Sequence, residues 1–139
     1  PARPSLPKEL YALSDIFCPN ERETEMLTGR SVETIDDAEA AARVLLTRGA
    51  GTVILTLGSR GALIVDRGGA QHVPARKVKA VDSTGAGDAF VGSLAYFLSR
   101  KSPLKEAVKR ACAIATMSVL KPGTQTSFPS REEVKGLVR

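Results

Sequence analysis

The sequence predicts an α/β fold with a mainly parallel sheet and an antiparallel edge. Two observations carry this. In the first half of the chain, short apolar runs rich in β-branched residues alternate with helical patterns, as βα units do. Then two apolar runs, "TVILTL" (52–57) and "ALIV" (62–65), are separated by little more than "GSRG", which marks a hairpin-like pair. The 139 residues suffice for one core, and 42% hydrophobic content fits a globular chain. No internal repeat or low-complexity tract interrupts it, so 1–139 reads as part of one domain.

The elements follow in order. Residues 6–13 predict a short helix, with Ser5 before it and Pro7 tolerated in its first turn. "DIFC" (15–18) reads as a short buried strand. Asn20 opens a helix through "ERETEMLTG" that Gly29 closes. "TIDDAEAAARVLLTRG" places Ala38, Ala41, Ala42, Leu45 and Leu46 on the helical period, with Asp36 or Asp37 as the cap and Gly49 at the end. The 52–57 run is apolar enough for a strand buried on both faces. "DRGGAQ" (66–71) turns the chain into "HVPA" and "VKAV". After a glycine-rich turn come the helices "AFVGSLAYFLSR" and "LKEAVKRACAIATMSVL", the second begun by Ser102-Pro103. "KPGTQTS" stops that helix, and "SREEVKGLV" predicts a capped final helix.

Composition removes several function classes. The formal charge is +5, but basic and acidic residues are interspersed and aromatics are 4%, which argues against a nucleic-acid surface. What remains is a modest attraction for small anions. No apolar run approaches the roughly 18 residues of a membrane span. Cys18 and Cys112 have neither metal-ligand nor CxxC spacing and read as two reduced thiols.

Four motifs could carry chemistry. In "VDSTGAGDAF" (81–90), Gly85 and Gly87 precede a helix whose free N–H groups and positive dipole end make an anion site. Asp88, in or near the first turn, could take a proton from an attacking hydroxyl beside a bound phosphate. Spacing alone equally allows a plain turn with Asp88 as a cap. The run is neither a P-loop nor a dinucleotide fingerprint. "TLGSRG" (56–61) ends a buried strand, where open α/β sheets place ligands, though an ordinary turn explains it too. "NERE" (20–23) is a capping box, which accounts for Asn20 and Glu23 without any ligand; its functional reading is magnesium and phosphate. "KPGTQTS" (121–127) is either a helix stop or a ring of carbonyls and hydroxyls for a monovalent cation. The lone His72 reads as structural or surface.

In this order, "CPNERETEMLTG", "ILTLGSRGALI", "DSTGAGDAFVGSLA" and "KPGTQTSFP" resemble the PfkB carbohydrate kinase family, in particular its ribokinase branch. The third is similar to the family's specific C-terminal signature. The resemblance runs from Pro1 onward but covers only the C-terminal half of such an enzyme. With Pro1 rather than Met first, the expectation is a fragment or truncated form, weak or inactive alone. The implied fold is the C-terminal part of a ribokinase-like three-layer α/β/α sandwich. The implied reaction is ATP-dependent phosphorylation of D-ribose to D-ribose 5-phosphate. Alternatives are another PfkB sugar or nucleoside kinase, or a non-catalytic nucleotide-binding module.

Roles follow from the resemblance residue by residue. Asp88 would be the base and contact the sugar hydroxyl, while Gly85, Ala86 and Gly87 would form the anion hole. Asn20, Thr56, Leu57, Gly58, Ser59, Arg60, Gly61, Gly87, Asp88 and Cys112 would contact ATP. Glu23 would act on Mg2+ indirectly. Asp82, the Thr84 carbonyl, Ser118, the Lys121 and Gly123 carbonyls and Ser127 would hold an activating K+. Lys121 would contribute its carbonyl alone, because its ammonium repels a cation. Ser83, Arg22 and Cys112 depart from common family residues, and none of the three removes the base or the anion hole. The implied partners are a sugar and ATP, without nucleic acid or membrane, and a homodimer made through a lid in the N-terminal half. Cytoplasmic residence, with the nucleus as a second compartment, is the corresponding expectation.

Overall fold

Consecutive apolar residues suit a strand covered on both sides, and Val53, Ile54 and Leu55 are all completely buried. They lie in the computed structural model, which describes residues 5–138 and divides into two compact units, up to Val73 and from Pro74 onward.

The first unit is built on one four-stranded sheet in the order β1-β2-β3-β4. Its strands are β1 (Ile16–Phe17), β2 (Thr52–Thr56), β3 (Ala62–Asp66) and β4 (Gly69–Val73). β1 pairs with β2 in parallel, Ile16 opposite Thr52, and a parallel bridge between Asn20 and Thr56 continues that line. β2 and β3 pair antiparallel with Val53 opposite Val65, and β3 and β4 pair antiparallel with Leu63 opposite His72. The sheet is thus mixed with an antiparallel edge. Within these residues the parallel pairing is confined to β1 and β2, because two tight turns double the chain back after β2 and after β3.

Three helices accompany the sheet: α1 (Lys8–Ala12), α2 (Glu21–Thr28) and α3 (Ile35–Thr47). α3 presents Ala38, Ala41, Ala42 and Leu45 to a core that includes Val53, Leu55, Leu63 and Val65. Alanines let the helix axis approach the strands closely, and all four helix residues are fully buried. Arg48 ties the helix ends together. Its Nη1 donates to the Leu27 carbonyl at 2.8 Å and to the Tyr11 hydroxyl at 3.3 Å, and its guanidinium lies 5.7 Å over the Tyr11 ring.

Local chemistry shifts three boundaries from their sequence expectation. Pro7 is the residue before α1 rather than inside its first turn. α3 is capped by Thr34, not by Asp36 or Asp37. The Thr34 hydroxyl accepts from the Asp37 amide at 3.1 Å, and the Asp37 carboxylate accepts from the Thr34 amide at 2.9 Å, a reciprocal capping box. The turn after β3 is narrower than 66–71, because the Asp66 carboxylate accepts from Gly68 and Gly69 amides at 2.7 and 3.0 Å and closes it early.

The second unit pairs α4 (Ala86–Ser99) with α5 (Leu104–Ser118). Ala89, Phe90, Leu94 and Phe97 of α4 are buried, as are Ala107, Val108, Ala111, Cys112 and Ile114 of α5. The Arg110 guanidinium sits 5.4 Å over the Phe97 ring. α4 begins at Ala86 rather than Ala89, which brings Gly87 and Asp88 into its first turn.

Two expected elements are not formed. "VKAV" is not a strand: Val78 and Val81 are 38% and 65% exposed, and the Val81 and Asp82 amides instead bond the Val119 carbonyl at 2.8 and 3.3 Å. "SREEVKGLV" makes successive turns rather than a helix. Its cap does form, with the Ser130 amide donating to Glu133 at 2.7 Å, but a segment this short carrying Gly136 does not propagate a helix. Among the described residues, no helix is long and apolar enough to cross a membrane.

Leu55 lies fully buried in the α3-facing core. Leu55→Ala should lower unfolding free energy by about 2–5 kcal/mol, read from urea denaturation followed by circular dichroism.

Candidate active site

The glycine-rich turn is shaped by one residue in the left-handed region. Gly85 has φ +82° and is the N-cap of α4. A Cβ there would lie 3.0 Å from Thr124 Cγ2 and 3.2 Å from Phe128 Cε1, so both backbone and space demand glycine. The α4 ladder starts with the Ala89 amide donating to the Gly85 carbonyl at 2.9 Å. The Gly87 and Asp88 amides precede that bond, at the positive end of a 14-residue helix. A Cβ on Gly87 would meet nothing within 4 Å, so a ligand can come close to the main chain there. Asp88 is exposed in the same turn. Amides and a carboxylate are therefore presented together, the combination needed to hold an anion and accept a proton beside it.

Behind this turn, Asp82 holds two segments. One carboxylate oxygen accepts from the Thr84 amide at 2.9 Å and the other from the Gly123 amide at 2.9 Å. The Thr84 hydroxyl, then the Gly123 and Thr84 amides, pull the Asp82 pKa down to about 2. Asp82, Thr84 and Gly123 are thereby brought together. Ser118 and Ser127 are fully buried; their hydroxyls donate to the Ala115 and Thr124 carbonyls at 2.8 and 2.6 Å, so oxygen lone pairs remain. The Lys121 ammonium is held 2.7 Å from Glu133. Lys121, then Ser130, draws the Glu133 pKa down to about 2. The donor set is all oxygen with one carboxylate, and the nearby ammonium is neutralised. Oxygen donors of this kind suit a hard cation and do not by themselves choose its charge. Cys112 is buried in α5, and burial pushes its thiol up to about 11, leaving it neutral.

In the first unit, Asn20 caps α2 in a reciprocal box with Glu23, both bonds 2.8 Å. The Thr56 amide donates to the Pro19 carbonyl at 3.0 Å, which joins the end of β2 to the residue before that cap. The turn 57–61 closes through the Leu57 amide to the Gly61 carbonyl at 2.8 Å and the Gly61 amide to the Gly58 carbonyl at 3.1 Å. Gly58 and Gly61 have φ of +51° and +96°. Ser59 is exposed between them. Glu23 is a single carboxylate, and among the described residues no group of three or more His, Cys, Asp or Glu is gathered for a metal ion. His72 Nε2 lies 2.7 Å from the Arg60 carbonyl, a structural role on an exposed residue.

Residues 1–131 match the pattern of the pfkB family carbohydrate kinases. The chain belongs to this family. As a pfkB chain, it is 44% identical over 138 residues to a ribokinase of Mus musculus, covering 96% of this chain and 43% of that protein. It is also 44% identical over 133 residues to a deoxyribokinase of Salmonella typhi, covering 96% of this chain and 44% of the relative. The structure of Arabidopsis thaliana ribokinase complexed with ribose and ATP matches with TM-score 0.89 and 31% identity, over 97% of this chain and 44% of that one. The chain thus spans less than half the length of these relatives, and its fold is that of the corresponding part of the ribokinases.

Within this pfkB chain, sequence patterns missed the residues that support the motifs. Glu133, which holds the Lys121 ammonium, shows in sequence as part of an S-x-x-E cap but gives no sign of its distant partner. Glu21, the ion-pair partner of Arg60, is hidden among neighbouring glutamates.

Because folding lowers the Asp82 pKa from its ordinary 3.8 to about 2, its contribution to stability is present above pH 3.8 and is lost as pH falls through about 2. An NMR titration of the Asp82 carboxyl carbon should give that low midpoint. A midpoint near 3.8 would mean that the bonds to Thr84 and Gly123 do not persist in solution.

Proposed function

We propose that this chain supplies the phosphoryl-transfer machinery of an ATP-dependent ribose kinase that forms D-ribose 5-phosphate. The observation that carries the reading is the first turn of α4, where exposed Asp88 and the amides preceding the helical ladder share one glycine-shaped surface. The likeness to ribokinases supports the choice of reaction.

In this mechanism the Asp88 carboxylate accepts the proton of the sugar's primary hydroxyl as its oxygen bonds to the γ-phosphorus of ATP. The bond from that phosphorus to the bridging oxygen breaks, and ADP leaves with the bonding electrons. The Gly85, Gly87 and Asp88 amides are offered to the charge that builds on the transferring phosphoryl oxygens, fixed in place before reaction, while the Ala86 amide is engaged with the Ser83 carbonyl at 3.2 Å and shapes the turn. Little covalent work is asked of the protein, so positioning and charge stabilisation carry the rate. Asn20 and the 56–61 turn offer polar groups to the nucleotide, and Cys112 an apolar contact to its base. Glu23 would act on Mg2+ through water, the ion supplying positive charge to the phosphates. Asp82, Ser118, Ser127 and the Thr84, Lys121 and Gly123 carbonyls would hold K+, which adds positive charge behind the anion turn.

The equal identity to a deoxyribokinase keeps 2-deoxyribose as a second acceptor, and the two sugars differ by one hydroxyl. A panel of pentoses assayed with ATP decides between them.

In the protein carrying this chain, Asp88→Ala should cut turnover by about 10²–10⁴-fold while calorimetry still shows ATP binding. Near-normal turnover in that variant would remove Asp88 as the base. Exchanging K+ for a bulky organic cation should slow the wild-type reaction, and Asp82→Asn should blunt that sensitivity. A wild-type rate indifferent to K+ would remove the cation role.

A further inference from the structure

Arg60 is the cation of the 58–61 turn, beside amides assigned above to the nucleotide, and direct contact with phosphate is the simplest use for it. Its guanidinium is engaged elsewhere. Nη1 donates to the Glu33 carbonyl at 2.6 Å, and Nη2 donates to the Val32 carbonyl at 3.1 Å and pairs with the Glu21 carboxylate. The Arg60 carbonyl meets His72 Nε2 at 2.7 Å. One residue therefore ties the turn to the start of α2, to the linker before α3 and to β4. Glu21 directly follows Asn20, so the ion pair sets the turn against the α2 cap.

We propose that Arg60 is a positioning residue, which together with Glu21 holds the 58–61 turn and its Gly58 and Ser59 amides in register with Asn20 and does not itself bind phosphate. The Arg60 and Gly61 amides close the turn onto the Leu57 and Gly58 carbonyls at 2.9 and 3.1 Å. The proposal rests on the nucleotide reading given above. A planar guanidinium with five donors can serve two carbonyls and a carboxylate at once, whereas a lysine ammonium cannot reproduce that fork. The ion pair taken alone would contribute little, since its side chains are 32% and 37% exposed. Its value lies in geometry. Gly58 and Gly61 give the turn little stiffness of its own, and backbone donors favour a ligand most when they are already in place.

The test compares wild type, Arg60→Lys and Glu21→Ala by ATP titration, ATP kinetics and hydrogen exchange at the 58–61 amides. Both variants should bind ATP about threefold to tenfold more weakly, as expected for loss of a partly exposed charge-assisted bond. KM for ATP should rise more than kcat falls, and the turn amides should exchange faster. If Arg60 binds phosphate directly, Glu21→Ala releases the guanidinium and ATP binds as tightly as before or tighter, which overturns the proposal. Weaker binding with unchanged exchange in the turn overturns it too. Melting curves identify a variant that has lost its fold, and Arg60→Lys then decides, because it keeps the charge and much of the packing. A wild-type protein that does not bind ATP overturns the nucleotide reading itself, an outcome distinct from unaltered binding in Glu21→Ala.

Discussion

A carboxylate has two oxygens and can hold two pieces of chain at once. Asp82 does this for the segment that leads into α4, taking the Thr84 amide on one oxygen and the Gly123 amide on the other. Three residues separate Asp82 from Ala86, where the helix begins, and the last of them, Gly85, fills the tight place between. With these two constraints met, the start of α4 and the direction of its first amides follow. The oxygen-rich loop 121–127 is fastened by the same carboxylate, so the turn before α4 and this loop share one anchor.

A comparable economy holds in the first unit. The α2 cap, the end of β2 and the 58–61 turn meet through short backbone bonds, and the side chains of Arg60, Glu21, Asn20 and Glu23 complete the set. Most of these groups serve structure in the absence of any ligand. The capping box uses Oδ1 of Asn20 and Oε2 of Glu23 and leaves the Asn20 side-chain nitrogen and the second Glu23 oxygen outside it.

Much of this was legible in the sequence where a local rule decides the outcome. The apolar run of β2, the alanine period of α3, the Asn20 box and the Gly29 stop depend on neighbours within a few residues, and the structure has them as expected. Thr34 was passed over because two aspartates beyond it also make good caps, and only the fold shows which amide each oxygen meets. "VKAV" has the composition of a strand, but strand formation needs a partner, and its amides at Val81 and Asp82 turn to Val119 instead. The final segment has a cap signal with too little helix behind it. At the site, the motifs were visible as spacings, whereas Glu133 on Lys121 and Glu21 on Arg60 were not. Pairing across a dozen residues or more leaves no periodic trace.

The sheet of the first unit also has an order of assembly written into it. β2, β3 and β4 follow one another through tight turns, so their pairing closes short loops and costs little chain entropy. The parallel contact of β1 with β2 must wait for a much longer loop that contains both α2 and α3. The 57–61 turn belongs to the local hairpin, while Asn20 follows the late strand. The two sides of that polar cluster therefore come from parts of the chain that the entropy of loop closure sets at opposite ends of folding.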